Sequence, residues 1–234
     1  MFFIHRSGNR TALPRVPGGS PNKNKGAEPS MKKNLLLLAL LLHAGLALAV
    51  EPKEGVDYDL IKPTPPVGSG DQVEVIEFFM YTCPHCKNLD PALQEWRARL
   101  PENVKFEHMP AMFGGIANLH ARAYFALQAI GEAERLHEAF FHEIHDKRNR
   151  LRNREALEKF LADNGVDLAK FRQAFDSFAV QTKANRAAAL MRRYGIRAVP
   201  TLVVDGRYRV KNTPQVLEVT DALIQRTLSE RGAK

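Results

Sequence analysis

Hydrophobic positions change their spacing twice along this chain. Val73-Glu74-Val75-Ile76-Glu77-Phe78-Phe79-Met80 is almost continuously apolar, as a strand buried on both faces within a parallel sheet should be. Tyr58 to Ile61 carries a shorter strand signal suited to a sheet edge, and Lys62 to Gly70, rich in Pro and then Gly, is a connection. Asn88 to Leu100 has helical spacing, with Pro91 expected to kink it. Val104 to Met109 is a second strand, closed by Pro110.

From Ile116 the period becomes that of a helix. Leu119, Ala123, Phe125 to Leu127 and Ile130 form one apolar stripe, and Leu136, Phe140, Phe141 and Ile144 another. Shorter helices are predicted over Glu155–Ala162, after which Asn164-Gly165 is a stop, and over Leu168–Phe175, which Asp167 can cap. A longer one runs from about Ser177 to Tyr194 and ends at Gly195. Strand signals return in Thr201–Val204 and Tyr208–Val210, joined by the hairpin pair Asp205-Gly206. A final amphipathic helix spans roughly Gln215 to Leu228. Strands, a block of helices and strands again predict an α/β domain interrupted by an all-helical insertion. The expected divisions are 50–115, 116–187 and 188–234.

The beginning of the chain bears on compartment. Met31-Lys32-Lys33, the apolar stretch Leu35 to Leu42 and Ala47-Leu48-Ala49 follow the order of a secretory signal, charged, then apolar, then small residues at the cleavage site. The apolar stretch is short for a bilayer span, so residues 31–49 are expected to be a signal peptide cleaved near Ala49. Residues 1–30, rich in Gly, Pro, Asn and Arg, are expected to be an over-extended, disordered start. The formal net charge of +8 is concentrated here: seven of the 34 Lys/Arg and one of the 26 Asp/Glu lie in residues 1–49, which leaves +2 on the remainder. The basic balance therefore gives no reason to expect nucleic-acid binding.

The chemistry is concentrated at Cys83-Pro84-His85-Cys86, which holds the only two cysteines of the sequence. A strand that delivers two thiols to the start of a helix places Cys83 at an exposed helix N-terminus, where partial positive charge favours a thiolate. Cys86, one turn further in, is shielded and can close a disulfide. A structural disulfide is disfavoured, because so small a loop removes little chain entropy. A zinc site would need two further ligands. His137, His142 and His145 are at hand, but His-x2-His is shorter than the usual finger spacing. A redox centre is the favoured reading, and export would place it in an oxidising compartment.

Glu77-Phe78-Phe79 ahead of Cys83-Pro84-His85-Cys86, Val199-Pro200-Thr201 ahead of Asp205-Gly206, and the helical block between them resemble the DsbA family of periplasmic thiol:disulfide oxidoreductases. The likeness covers the chain from about Val56 to its end, and CPHC is far more specific than a bare CxxC. It implies a thioredoxin-like fold with an inserted helical domain, and donation of the Cys83–Cys86 disulfide to unfolded, reduced exported proteins through a mixed disulfide at Cys83. It also implies reoxidation by a DsbB-like membrane quinone reductase. A periplasmic monomer without a cofactor or metal is expected.

Particular residues acquire roles from that likeness and from their own chemistry. His85 can donate a hydrogen bond or positive charge to the Cys83 sulfur, and Pro84 holds the turn into the helix. Pro200 is expected to be cis and to face the two cysteines, so that the backbone at Val199 can pair with an extended substrate; an ordinary trans proline before a strand is the alternative. Glu77, a carboxylate in an apolar strand, should be partly desolvated with a raised pKa, and able to accept a proton from Cys86. Family members often place a lysine beside this acid, and here Lys105 and His108 both lie on the next strand. The basic run Lys147 to Arg154 suggests a solvated loop, with anionic lipid headgroups as a second possibility. Two rival functions stay in view: a disulfide isomerase or reductase on the same fold, and a copper or zinc carrier using both thiolates.

Overall fold

The computed structural model describes residues 51–63 and 72–232. The expected signal peptide, the segment upstream of it and most of the Pro/Gly connection lie outside the described residues. Five strands form one sheet: β1 (Tyr58–Leu60), β2 (Val73–Phe79), β3 (Val104–Pro110), β4 (Thr201–Val204) and β5 (Tyr208–Val210), in the order β1-β5-β4-β2-β3. β2 pairs in parallel with β3, from Val73↔Val104 to Phe79↔Pro110, and antiparallel with β4 on its other edge. β4–β5 and β5–β1 are antiparallel. Central β2 is buried over nearly its whole length, which is why its sequence lacks a polar alternation.

Helix α1 (Pro84–Arg97) crosses from β2 to β3 and runs unbroken through Pro91. Five helices separate β3 from β4: α2 (Gly115–Ala129), α3 (Ala133–His145), α4 (Arg154–Asp163), α5 (Leu168–Phe175) and α6 (Phe178–Tyr194). The expected break between 187 and 188 falls within α6. The predicted cap is present, Asp167 accepting the N–H groups of Ala169 and Lys170; Ser177 caps α6 in the same way, accepting that of Val180. Helix α7 (Val216–Gly232) closes the chain and runs four residues past the expected Leu228. Those residues stay helical while Arg207 and Arg231 tie this end to the sheet through Glu230 and Asp205.

Two apolar layers flank the sheet. Val73 and Val75 pack with Leu93, Trp96, Leu202 and, from α7, Val219 and Leu223. Phe78, Phe79, Tyr81 and both cysteines share the larger cluster with Phe125, Phe140 and Phe141 of the helical block. Gly195 ends α6 in the left-handed region at φ 62°. A Cβ there would lie 2.6 Å from the Arg209 guanidinium. That guanidinium donates to the carbonyls of Tyr194 and Gly195 at 3.0 and 2.9 Å and to Asp59 at 3.0 Å. The helix end is thus bound to β5, which fixes the approach of Val199 and Pro200 to the sheet.

Candidate redox site

Cys83 caps the N-terminus of α1. Its backbone is extended (φ −89°, ψ 117°), Pro84 occupies the first turn, and the Cys86 N–H donates to the Cys83 sulfur at 3.3 Å. Proline suits this position because its missing N–H would have had no helical partner. Pro84 and His85 face solvent. Cys86 points into the core and is fully buried, and both cysteines are free thiols.

Cys83 is less accessible than its place at a helix terminus suggested, at 7% exposed. The cause is long-range: the Cys83 Sγ donates to the Val199 carbonyl at 3.4 Å, across 116 residues of sequence. The Val199–Pro200 bond is cis, as expected, and Pro200 is buried.

The two thiols are driven apart electrostatically. A hydrogen bond from the Cys86 side chain to the Cys83 sulfur is the largest influence on Cys83. Burial opposes it, and the backbone N–H groups of Cys86 and His85 and the field of the His85 side chain assist it. The Cys83 pKa is lowered to about 6. The same thiol–thiol hydrogen bond, then burial, then the charges of Cys83 and Glu77 push Cys86 far upward. One sulfur is poised as a thiolate near neutral pH, and its neighbour retains its proton.

Glu77 is buried at 2% exposed, so a solvent-facing position is excluded. Its partner is His108, directly opposite in the β2–β3 register, with Nδ1 2.7 Å from Glu77 Oε2. Lys105 stands opposite Glu74 instead and is exposed. On its far side His108 Nε2 accepts from Arg97 at 3.1 Å.

A second buried polar group was not anticipated from the sequence. His137 of α3 lies 3.2 Å from Asp90 of α1 through Nε2, and its Nδ1 lies 3.0 Å from the Tyr81 hydroxyl. The Asp90 contact has the length of an ion pair without the alignment of a good hydrogen bond. Burial raises the Asp90 pKa, but His137 and Gln94 outweigh it and hold the carboxyl below its usual range. Tyr81 stacks on Phe140 at 4.5 Å, and its carbonyl pairs with His145 Nε2 at 2.8 Å. These contacts brace the turn immediately before Cys83 against the helical block. The sequence did carry a signal for this: His137, Phe141 and His145 recur at four-residue spacing on one face of α3. His137, His142 and His145 are thereby engaged with Asp90, Asp146 and the Tyr81 carbonyl rather than gathered around the cysteines. Among the described residues, no group of three or more His, Cys, Asp and Glu side chains is placed to hold a metal ion.

A model of the DSBA-like thioredoxin domain matches residues 110–223 of the chain. The chain is 37% identical over 211 residues to a thiol:disulfide interchange protein DsbA of Burkholderia cepacia, covering 86% of this chain and 100% of that protein. The corresponding Pseudomonas aeruginosa protein is 35% identical over 210 residues, covering 86% and 98%. Among solved structures, the oxidoreductase DsbA of Xylella fastidiosa superposes with a TM-score of 0.71 at 36% identity, over 76% of this chain and 98% of that one. Pseudomonas aeruginosa DsbA gives the same TM-score at 35% identity, over 78% and 96%.

Proposed function

The chain belongs to the DsbA family of thiol:disulfide oxidoreductases, and from that premise we propose that Cys83 and Cys86 form the disulfide it donates. A substrate thiolate attacks the Cys83 sulfur. The Cys83–Cys86 bond breaks, and its electron pair leaves on Cys86, which takes up a proton. A second substrate thiolate then attacks the substrate sulfur of the mixed disulfide and expels Cys83 as a thiolate. The substrate leaves with a disulfide, and the protein keeps the dithiol. The observation that carries this assignment is the opposite displacement of the two thiols, with Cys83 near 6 and Cys86 far above the ordinary range. A stable Cys83 thiolate makes it the better leaving group and draws the exchange toward the reduced protein.

His85 and Pro84 set the environment of that thiolate, Val199 and Pro200 receive the extended substrate beside Cys83, and Glu77 accepts the proton of Cys86 when the disulfide is re-formed. The 2.7 Å contact with His108 supports the last role, since it gives the acid a buried partner with which to share charge. The substrates are reduced, unfolded exported proteins. The working location is the periplasm, after removal of a signal peptide near Ala49, and a DsbB-like membrane quinone reductase restores the disulfide of a monomeric protein. The helical insertion comprises residues 116–187.

Replacing the buried thiol tests the assignment. Cys86→Ala should accumulate mixed disulfides with exported proteins at Cys83, resolvable on a non-reducing gel, and Cys83→Ala should not. Equal trapping by both variants would remove Cys83 from its role.

A further inference from the structure

Among the described residues, cations without ion-pair partners stand on both sides of Cys83. One cavity, of about 370 Å³, is lined by Thr82, Ile116, Arg150 and Arg152, and Thr82 is the residue next to Cys83. A second, of about 510 Å³, is bordered by Val199 and Pro200, with Arg197 and Lys211 among its lining residues. The Val199 carbonyl is the one that meets the Cys83 sulfur. Neither lining contains an acid. Lys211 and Arg209 share the single carboxylate of Asp59. Arg150, Arg152 and Arg197 are exposed and form no ion pair among the described residues.

Two other cations of the same run are already paired. Arg154, two residues beyond Arg152, is held by both Glu158 and Asp176, and Lys147 is held by Glu143. The segment carrying Arg150 and Arg152 is also anchored rather than simply solvated. Leu151 between them is fully buried and in the left-handed region at φ 49°, and its carbonyl pairs with His120 Nε2 at 3.0 Å. A non-glycine residue adopts that conformation only where packing compensates its steric cost. The backbone thus directs two unpaired cations to the edge of the redox site.

We propose that the two cavities select reduced polypeptides carrying Asp or Glu within a few residues of the reacting cysteine. This rests on the disulfide-donor reading and adds a substrate class to it. A polypeptide joined to Cys83 advances about 3.3 Å per residue when extended, so residues within a few positions of its cysteine come within reach of the cavity beside Thr82 and of the one beside Val199. Each exposed pair is individually weak, because water and salt screen it. Two or three such pairs amount to roughly a tenfold effect on association, and one that salt removes.

The test compares oxidation of two dithiol peptides that differ only in Asp or Lys beside their cysteines, with rates corrected for each peptide's thiolate fraction. The Asp peptide should react about tenfold faster in low salt, and the ratio should approach one at about 0.5 M salt. Arg150→Gln/Arg152→Gln/Arg197→Gln should abolish the preference, Glu at the same three positions should invert it, and Lys170→Gln on the exposed face of α5 should leave it intact. The same ratio in the wild type and the triple variants would overturn the proposal. Sedimentation with phosphatidylglycerol vesicles that depends on these arginines, alongside an unchanged peptide ratio, would also overturn it, in favour of a lipid headgroup. Oxidation of neither peptide would overturn the donor reading together with this inference.

Discussion

Glu77 and His108 face each other across the parallel pairing of β2 and β3, their side chains meeting at 2.7 Å with both residues buried. A buried carboxylate that loses its partner is left without compensation for its desolvation, a loss of about 3–5 kcal/mol. His108→Leu should therefore destabilise the protein by about that much in urea unfolding. Replacing both residues, as Glu77→Leu/His108→Leu, should recover most of the loss, because an apolar pair of similar volume carries no such penalty. A single variant within about 1 kcal/mol of the wild type would show that the pair is not needed to keep Glu77 buried.

The field of His85 is one of the influences that lower the Cys83 pKa, and it ranks behind the hydrogen bond from Cys86. Thiolate absorbance of the reduced protein should titrate near pH 6. His85→Ser should raise that midpoint without unfolding the protein. The redox potential should fall in step, by about 30 mV for each unit of rise, since both report the same thiolate stability. A midpoint shift with an unchanged potential would break the link between thiolate stability and oxidising power.

How much of this site could be seen in the sequence depended on chain distance. Strand β2, the Cys83–Cys86 spacing and the Val199-Pro200 junction are local signals, and each fell where it was expected. The partner of Glu77 was hidden because it is set by the register between two strands 31 residues apart, where Lys105 and His108 were equally plausible until the pairing fixed His108 opposite Glu77. The burial of Cys83 was misjudged for a related reason. Its helix position is local, but the Val199 carbonyl that covers it arrives from 116 residues away. The Asp90–His137–Tyr81 contacts likewise join α1, α3 and the turn after β2, and no short window of sequence contains all three.

Reduction should stabilise the protein increasingly as pH rises. Folding depresses the Cys83 pKa from an ordinary 9.0 to about 6, so the folded thiolate favours the native dithiol. That contribution is complete above the unfolded value, declines as pH falls, and is lost once pH passes below about 6. It amounts to roughly 4 kcal/mol near pH 9 and 1–2 kcal/mol at pH 7. Loop-closure entropy from so short a spacer offsets about 2 kcal/mol of it in favour of the oxidised form. Urea unfolding of both redox forms should therefore show the reduced protein more stable by about 2 kcal/mol at pH 9, the two forms about equal near pH 7, and the oxidised protein the more stable toward pH 6. A stability difference that does not vary between these pH values would contradict a depressed Cys83 pKa.

The central claim is that Cys83 and Cys86 act as a disulfide donor, and equilibration with glutathione tests it most directly. Trapping the full chain with acid at a series of reduced-to-oxidised glutathione ratios, followed by alkylation and mass measurement, gives the fraction of the pair that is oxidised. A stabilised Cys83 thiolate predicts a pair that stays mostly reduced until oxidised glutathione is in large excess, so that its disulfide passes readily to other thiols. A disulfide that persists in an excess of reduced glutathione would identify a structural or reducing centre and contradict the account.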